Sequence, residues 1–269
     1  MIVRARGRPG PNVIGATGGS GTRVVARIVR RGGLFIGTNL NVSEDALDFG
    51  DYSDRWINVF LAHRPLDRAP AVRAAMTDDL QTTVDRHLAP LDASARAWGW
   101  KEPRSIFLLP FFASCFSGLK FLHVVRDGRD MAYSANQNQL NKHGDAFLRG
   151  ACAGASQPVR SIALWSRLHT ETAEYGETVL LGRYLRIRFE DLCREPGPTT
   201  RRIFEFFGLS GAAEEIGRLE VTAPPSVGRW RAQDRDSAGE VQRVGRAALE
   251  RFGYDDGEPP VRESEHPVS

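Results

Sequence analysis

The chain has 269 residues, 41% hydrophobic and 26% charged, with a net charge of +3. That composition excludes collagen-like, coiled-coil and wholly disordered classes, and the charge suits one anion-binding cleft without pointing to nucleic acid. No apolar run approaches the roughly 20 residues a bilayer requires, and no apolar signal-peptide core follows the basic MIVRARGRPGP, so a cytoplasmic protein off the membrane is expected.

In chain order, a strand is predicted at 12–16, then the glycine-rich turn TGGSG, then a helix at 22–31. That helix carries Val24, Val25, Ile28 and Val29 on one side and stops at Gly32 and Gly33. LFIG at 34–37 reads as a second short strand, and NLNVSEDALDFGDY as an acidic loop. Helical patterns cover 54–63 and 69–88. RAWGW reads as a strand running into KEPR, and a helix follows at about 105–117. LKFLHVV at 119–125 is the clearest strand; RDGRD comes next, then a helix to about residue 139. Residues 140–157 are polar and glycine-rich and read as a loop. Val159, Ile162, Trp165 and Leu168 mark an amphipathic helix. YLRIRF at 184–189 is a strand with EDLCREP turning out of it, and Ile203, Phe204, Phe206 and Phe207 mark a helix ending near Gly208. A short helix near 212–219, the segment PPSVGRWR, a last helix near 241–251 and a tail rich in Pro, Glu and Ser complete the chain.

Strands alternating with helices predict an α/β fold, a mainly parallel sheet flanked by helices. One domain is expected over 1–254, with 255–269 a disordered tail. In such sheets ligands sit beyond the carboxyl ends of the strands. TGGSGTR, KEPR and RDGRD each follow a predicted strand, so they are expected on one rim.

Cys115, Cys152 and Cys193 are odd in number and form no C-x-x-C or Cys/His cluster. Buried thiols in a reducing compartment are expected, with no disulfide framework and no metal. All but Lys101, Lys120 and Lys142 of the 36 basic residues are arginine. A lysine offers a compact point charge suited to a transferring group.

Gly18, Gly19, Ser20, Gly21 and Thr22 lie between a strand and a helix, the arrangement of a backbone anion cradle at a helix N-terminus. A Walker A loop is excluded, because Gly21 is followed by Thr22-Arg23 and not by Lys-Ser/Thr. Gly15, Gly18 and Gly21 fit a Rossmann-type spacing, and a plain βα turn without ligand is the simpler alternative. In FLHVVRDGRDMAYS, Arg126 ends a strand, Asp127 can cap the next helix, and Ser134 follows about two helical turns on. Arg126 and Ser134 can then converge on one phosphate, which arginine grips bidentately; a structural Arg–Asp network is the alternative.

On these residues the chain resembles the PAPS-dependent sulfotransferases of bacterial and Golgi type (PAPS is 3'-phosphoadenosine 5'-phosphosulfate). The resemblance implies their P-loop-like fold. It implies 5'-phosphosulfate contacts for Gly18, Gly19, Ser20, Gly21, Thr22 and Arg23, and 3'-phosphate contacts for Arg126 and Ser134. WGWKEPR is similar to the Lys-Asp/Glu-Pro segment of that family, RIRFEDLCREP to its strand-YEDL element, and SVGRWR to its G-x-W-[KR]. The last match implies that Arg229 and Trp230 close over the nucleotide, with Arg231 beside them. Three departures stand out. Gly19 replaces the usual cation before Ser20-Gly21-Thr22, Phe189 replaces the YEDL tyrosine, and the basic triplet before G-x-W is missing.

The implied activity is sulfuryl transfer from PAPS to a hydroxyl, or an amine, of a small-molecule or glycan acceptor, in a bacterial-type enzyme without metal. Lys101 is the expected catalytic cation, with Glu102 orienting it or pairing with Arg104. Asp45 is the favoured base over Glu44 and Asp48, which share its acidic segment; Asp45 and Asp48 would share a helical face. His123, mid-strand, is a conceivable base but fits the core better. Trp56, Phe60, Trp98 and Trp100 could line an acceptor pocket or pack in the core. Two other readings remain. One is a nucleotide-binding module without catalysis. The other is a short-chain-type NAD(P)-dependent dehydrogenase, which lacks its Tyr-x-x-x-Lys pair here. Oligomer formation is open.

Overall fold

A computed structural model describes residues 2–91 and 97–254; the expected tail at 255–269 and Arg96 of the RAWGW strand lie outside the described residues. Strand β1 (Asn12–Gly15) enters the glycine loop, and α1 (Thr22–Arg31) leaves it. Next come α2 (Leu47–His63), α3 (Pro70–His87), β2 (Gly99–Lys101), a 3-10 turn Pro103–Leu108 and α4 (Leu109–Cys115). Strand β3 (Lys120–Val125) precedes α5 (Gly128–Ala132), α6 (Asn138–Leu148) and α7 (Gln157–Tyr175). Strand β4 (Tyr184–Arg188) leads to α8 (Phe189–Arg194), α9 (Pro196–Phe207), α10 (Ala213–Glu220), a 3-10 turn Arg229–Ala232 and α11 (Arg235–Arg251).

The four strands form one parallel sheet in the order β2-β1-β3-β4. Both faces are covered, so the strands are apolar on both sides, as parallel strands require. Val13 and Phe121 face a core that holds Trp98, Trp100, Phe49 and Phe112. Ile14, Leu122, Val124 and Ile187 face Val25, Ile28 and Val29 of α1 and Ile203 and Phe204 of α9. A third apolar cluster joins Val125 and Met131 to Trp165 of α7 and Val241 and Leu249 of α11. Among the described residues no helix is long and apolar enough to cross a membrane.

Several expected elements need correction. LFIG is not a strand: the backbone turns at Gly33 and Gly37, and only Phe35 bridges Trp98. The expected loop at 140–157 is helical through Leu148. Leu140, His143, Gly144, Phe147 and Leu148 bury one face at helical spacing, and polar residues between them hid the period. Helix α5 ends at Ala132, so Ser134 lies on the turn after it and not on a helix. Helix α2 starts at Leu47, which takes the second half of the acidic loop into its first turns. Helix α8 forms inside the expected EDLCREP turn, and α11 begins at Arg235, capped by Asp234.

Candidate functional site

The carboxyl ends of β1, β2, β3 and β4 open into one cleft of about 400 Å³. Gly18, Gly19, Gly21, Thr22 and Arg23 line it after β1, Asp45 and Lys101 line it from the acidic segment and β2, and Arg126, Ser134 and Arg229 line it after β3 and from the C-terminal segment. Ten of the twelve residues singled out in the sequence therefore line one space. The other two do not. Ser20 is buried, its hydroxyl 3.1 Å from Thr17 Oγ1. Trp230 is buried beneath the Arg129 guanidinium, 4.0 Å from its ring centroid. Trp230 does not line the cleft, whereas Arg229 beside it does.

Gly21 is the left-handed cap of α1, with φ of 82°. A Cβ there would stand 2.1 Å from the Phe189 ring, so glycine is required twice over. The helix start leaves its first-turn N–H groups without intrahelical acceptors, facing the cleft. Gln139 of α6, which the sequence pattern did not single out, braces the loop. Its side chain accepts from Gly18 N–H at 3.1 Å and donates to Ala16 O at 3.2 Å. Gly19 has φ of 91°, and a Cβ there would stand 3.3 Å from Met131 Cε and 3.5 Å from the Ser134 hydroxyl, so a cationic side chain would carry left-handed backbone strain.

Lys101 ends β2 with its side chain almost fully buried. Its ammonium donates to the Asp45 carboxylate and to Ser43 O at 2.8 Å. Burial pulls the Lys101 pKa down, while Asp45 opposes that shift. Asn41 holds Asp45 in place, donating to its carboxylate at 3.0 Å and accepting from its N–H at 2.9 Å. The other two acids turn away. Glu44 pairs with Arg27 and Arg30. Asp48 is buried in α2 toward Asn39 and His87, and their contacts hold its carboxyl below the usual range. The shared face expected for Asp45 and Asp48 is absent, because Asp45 precedes the helix. Glu102, raised by burial, accepts from Arg104 Nε at 2.6 Å.

Arg126 leaves β3 and lies over the Phe189 ring at 5.4 Å, so the phenylalanine keeps a stacking contact without the tyrosine hydroxyl. The guanidinium donates to Gly19 O at 3.1 Å and to Ser226 O at 2.5 Å, while its buried Nε has no partner. Arg229 comes from the strap that carries Ser226, and burial together with the charge of Arg126 lowers its pKa. Two guanidiniums thus line the same cleft, an electrostatic arrangement that fits a bound phosphate. Asp130 anchors the strap by accepting from Gly228 N–H at 2.7 Å and Trp230 N–H at 3.2 Å. Thr222, Pro224 and Ser226 of the strap also line the cleft. Ser226 belongs to the SVGRWR match, but its own contact with the cleft, like those of Thr222 and Pro224, is identified only by its place in space.

A second cavity of about 180 Å³ adjoins the first and shares Gly18, Asp45, Pro103 and Asn136 with it. Asn41, Glu102, Arg104, Asn138, Gln139 and Lys142 complete its wall. The aromatic candidates are elsewhere: Phe60, Trp98 and Trp100 are core residues, and Trp56 donates to Asp79. His123 is fully buried and its pKa lies well below the ordinary value, away from both cavities. Among the described residues no group of His, Cys, Asp and Glu is arranged to hold a metal.

The model of the Sulfotransferase family matches residues 43–214. Human carbohydrate sulfotransferase 6 is 32% identical over 111 residues, 38% of this chain and 28% of that protein. Zebrafish (Danio rerio) carbohydrate sulfotransferase 1 is 28% identical over 141 residues, 45% of this chain and 29% of that protein. The matched stretch thus spans under a third of the length of these curated relatives. Among solved structures, the sulfotransferase domain of a Synechococcus olefin synthase superposes with a TM-score of 0.54 at 18% identity, covering 96% of this chain and all of that one. A sulfotransferase from Mycobacterium avium gives 0.53 at 11% identity, covering 94% of this chain and 79% of that one. These two likenesses establish the fold, the P-loop-like arrangement expected above, and the family match over residues 43–214 goes further: this chain belongs to the sulfotransferase family.

Proposed function

We propose that the protein moves a sulfuryl group from 3'-phosphoadenosine 5'-phosphosulfate to a hydroxyl, or less readily an amine, of a small-molecule or glycan acceptor. The observation that carries this reading is the shared cleft. The glycine loop, Thr22, Lys101, Arg126, Ser134 and Arg229 all line it, a gathering of backbone donors and cations that suits a nucleotide with phosphates at two positions of its ribose. The nucleotide, when bound, supplies the sulfuryl group and the departing 5'-phosphate.

The protein's own work is positioning and charge stabilisation. The loop amides and Thr22 hold the 5' end. Lys101, kept charged by Asp45, faces the place where negative charge develops. Arg126, Ser134 and Arg229 hold the 3'-phosphate. Asp45 lines both cavities, so an acceptor hydroxyl entering from the smaller one meets its carboxylate, which takes the proton. The smaller cavity has no aromatic wall and several carboxamides, which favours a hydrophilic acceptor, and the similarity to two carbohydrate sulfotransferases points the same way. Those relatives are vertebrate proteins, so a bacterial origin draws no support from them. A cytoplasmic setting is supported by Cys115, Cys152 and Cys193, all free. Residues 1–254 are taken as one catalytic domain.

The test is twofold. Calorimetry with adenosine 3',5'-bisphosphate should show binding, and a labelled donor should pass its sulfuryl group to a member of a panel of hydroxylated acceptors. Failure to bind the bisphosphate would sink the assignment. Binding with no transfer to any acceptor would favour the non-catalytic module.

A further inference from the structure

Behind the glycine loop runs a line of buried polar groups that takes no direct part in the cleft. The Tyr184 hydroxyl lies 2.7 Å from His123 Nδ1, and His123 Nε2 lies 2.7 Å from His169 Nδ1. His169 Nε2 lies 3.1 Å from Thr17 Oγ1, which lies 3.1 Å from Ser20 Oγ. Both histidines and Ser20 are wholly buried, and Thr17 is 6% exposed. The line crosses from β4 through β3 and α7 to the loop after β1, linking parts 152 residues apart in sequence.

We infer that His169, backed by His123, is a positioning residue that pins the Thr17–Ser20 turn of the nucleotide cradle through this chain. The inference rests on the donor assignment above and names what holds that site in shape. The same turn is closed by Ser20 N–H donating to Thr17 O at 3.3 Å. With the side chains of Thr17 and Ser20 tied inward, the amides of Gly21 and Thr22 are left to face the cleft.

The chain also has a direction. Burial holds His169 down at about 3 and His123 well below its ordinary value, with Arg186 adding to the shift on His123. Each ring is therefore neutral and carries one N–H. Around them stand Phe121, Trp165 and Phe252, which offer no charge to reverse that. At the loop end Ser20 Oγ donates to the Met131 sulfur at 3.9 Å, and a thioether can only accept. The Ser20 oxygen then accepts from the Thr17 hydroxyl, and Thr17 accepts from His169 Nε2–H. His169 Nδ1 accepts from His123 Nε2–H, and His123 Nδ1 from the Tyr184 hydroxyl.

The experiment compares bisphosphate binding and imidazole ¹⁵N spectra of the full chain. Wild type should show both rings as Nε2–H tautomers, and an Nδ1–H proton on His169 would overturn the assigned direction. His169→Phe should weaken the bisphosphate by about tenfold through its orphaned partners. His169→Gln, which keeps a donor and an acceptor, should recover most of that loss. Should His169→Phe fail to fold, Thr17→Val cuts the same link at the loop end and should weaken binding in the same direction. Binding within about twofold of wild type in both His169→Phe and Thr17→Val would overturn the inference. A wild-type protein that does not bind the bisphosphate would instead sink the donor assignment. The tautomer spectra need no nucleotide and keep the two failures apart.

Discussion

The Asp45 carboxylate grips the ammonium of Lys101, the one lysine on the cleft wall among the described residues. The pair couples the group that neutralises charge to the group that receives a proton. Burial lowers the Lys101 pKa, and Asp45 is the largest influence against it. Removing that negative charge lets the Lys101 pKa fall further. Activity that needs a charged Lys101 is lost as pH rises through that pKa. Asp45→Asn should therefore move the alkaline limb of the kcat profile to lower pH, besides reducing kcat itself. An alkaline limb at the wild-type position would separate Asp45 from Lys101.

Lys101→Ala removes a cation aimed at developing charge while leaving the 3'-phosphate contacts in place. Loss of such a preorganised group costs about a hundredfold to a thousandfold in kcat. Bisphosphate affinity should change far less, a split readable from kcat against a calorimetric Kd. Equal losses in both would make Lys101 a ground-state binding residue.

Arg126→Ala tests the other anion site. Arg126 lines the cleft together with Arg229, and a charge-assisted contact contributes about 1.5–3 kcal/mol. Bisphosphate binding should weaken roughly tenfold to a hundredfold. Adenosine 5'-phosphate, which lacks the 3' anion, should be affected little. Comparable loss for both nucleotides would place the 3'-phosphate elsewhere.

The parts legible in the sequence are those where local chemistry and topology agree. TGGSG, KEPR and RDGRD each follow a strand, and a parallel sheet brings strand ends together, so Gly18, Lys101 and Arg126 were bound to meet. The choice of Asp45 over Asp48 needed the helix start at Leu47, which turns one acid to the cleft and the other to His87. Gln139 and the cleft contact of Ser226 had no signal, because a brace on a loop or a strap is defined by distance and not by spacing. Helix α6 was missed since its buried face is interrupted by Asn141, Lys142 and Asp145. His169 carries no motif either, because what it touches is the turn after β1, 152 residues away in sequence.

Gly21→Ala should destabilise the protein by about 1–3 kcal/mol, combining left-handed strain with a clash against Phe189. Gly33 serves as the control. Its φ of 87° matches that of Gly21 at 82°, but a Cβ there meets nothing within 4 Å. Gly33→Ala carries the backbone term alone. Urea unfolding of the two variants isolates the contribution of the ring, and equal losses would show that Phe189 yields without cost.

One contribution to stability should be lost on mild acidification, that of His143. Burial lowers its pKa to about 4, with Arg104 pushing the same way. Its Nδ1 lies 2.9 Å from Asn58 Oδ1, and its Nε2 is buried without a partner. The unfolded chain takes up this proton near pH 6.5, before the folded one does. The contribution is complete above about pH 6.5 and is lost as pH falls toward about 4. Glu102, Asp130 and Glu190, raised by burial, work in the opposite sense lower in that range, so the wild-type curve alone mixes the two. His143→Asn removes one term and leaves the carboxyls untouched. Its urea midpoint should lie below wild type at pH 7 and converge with it toward pH 4.5. A constant gap across that window would mean that His143 does not carry a depressed pKa in the folded protein.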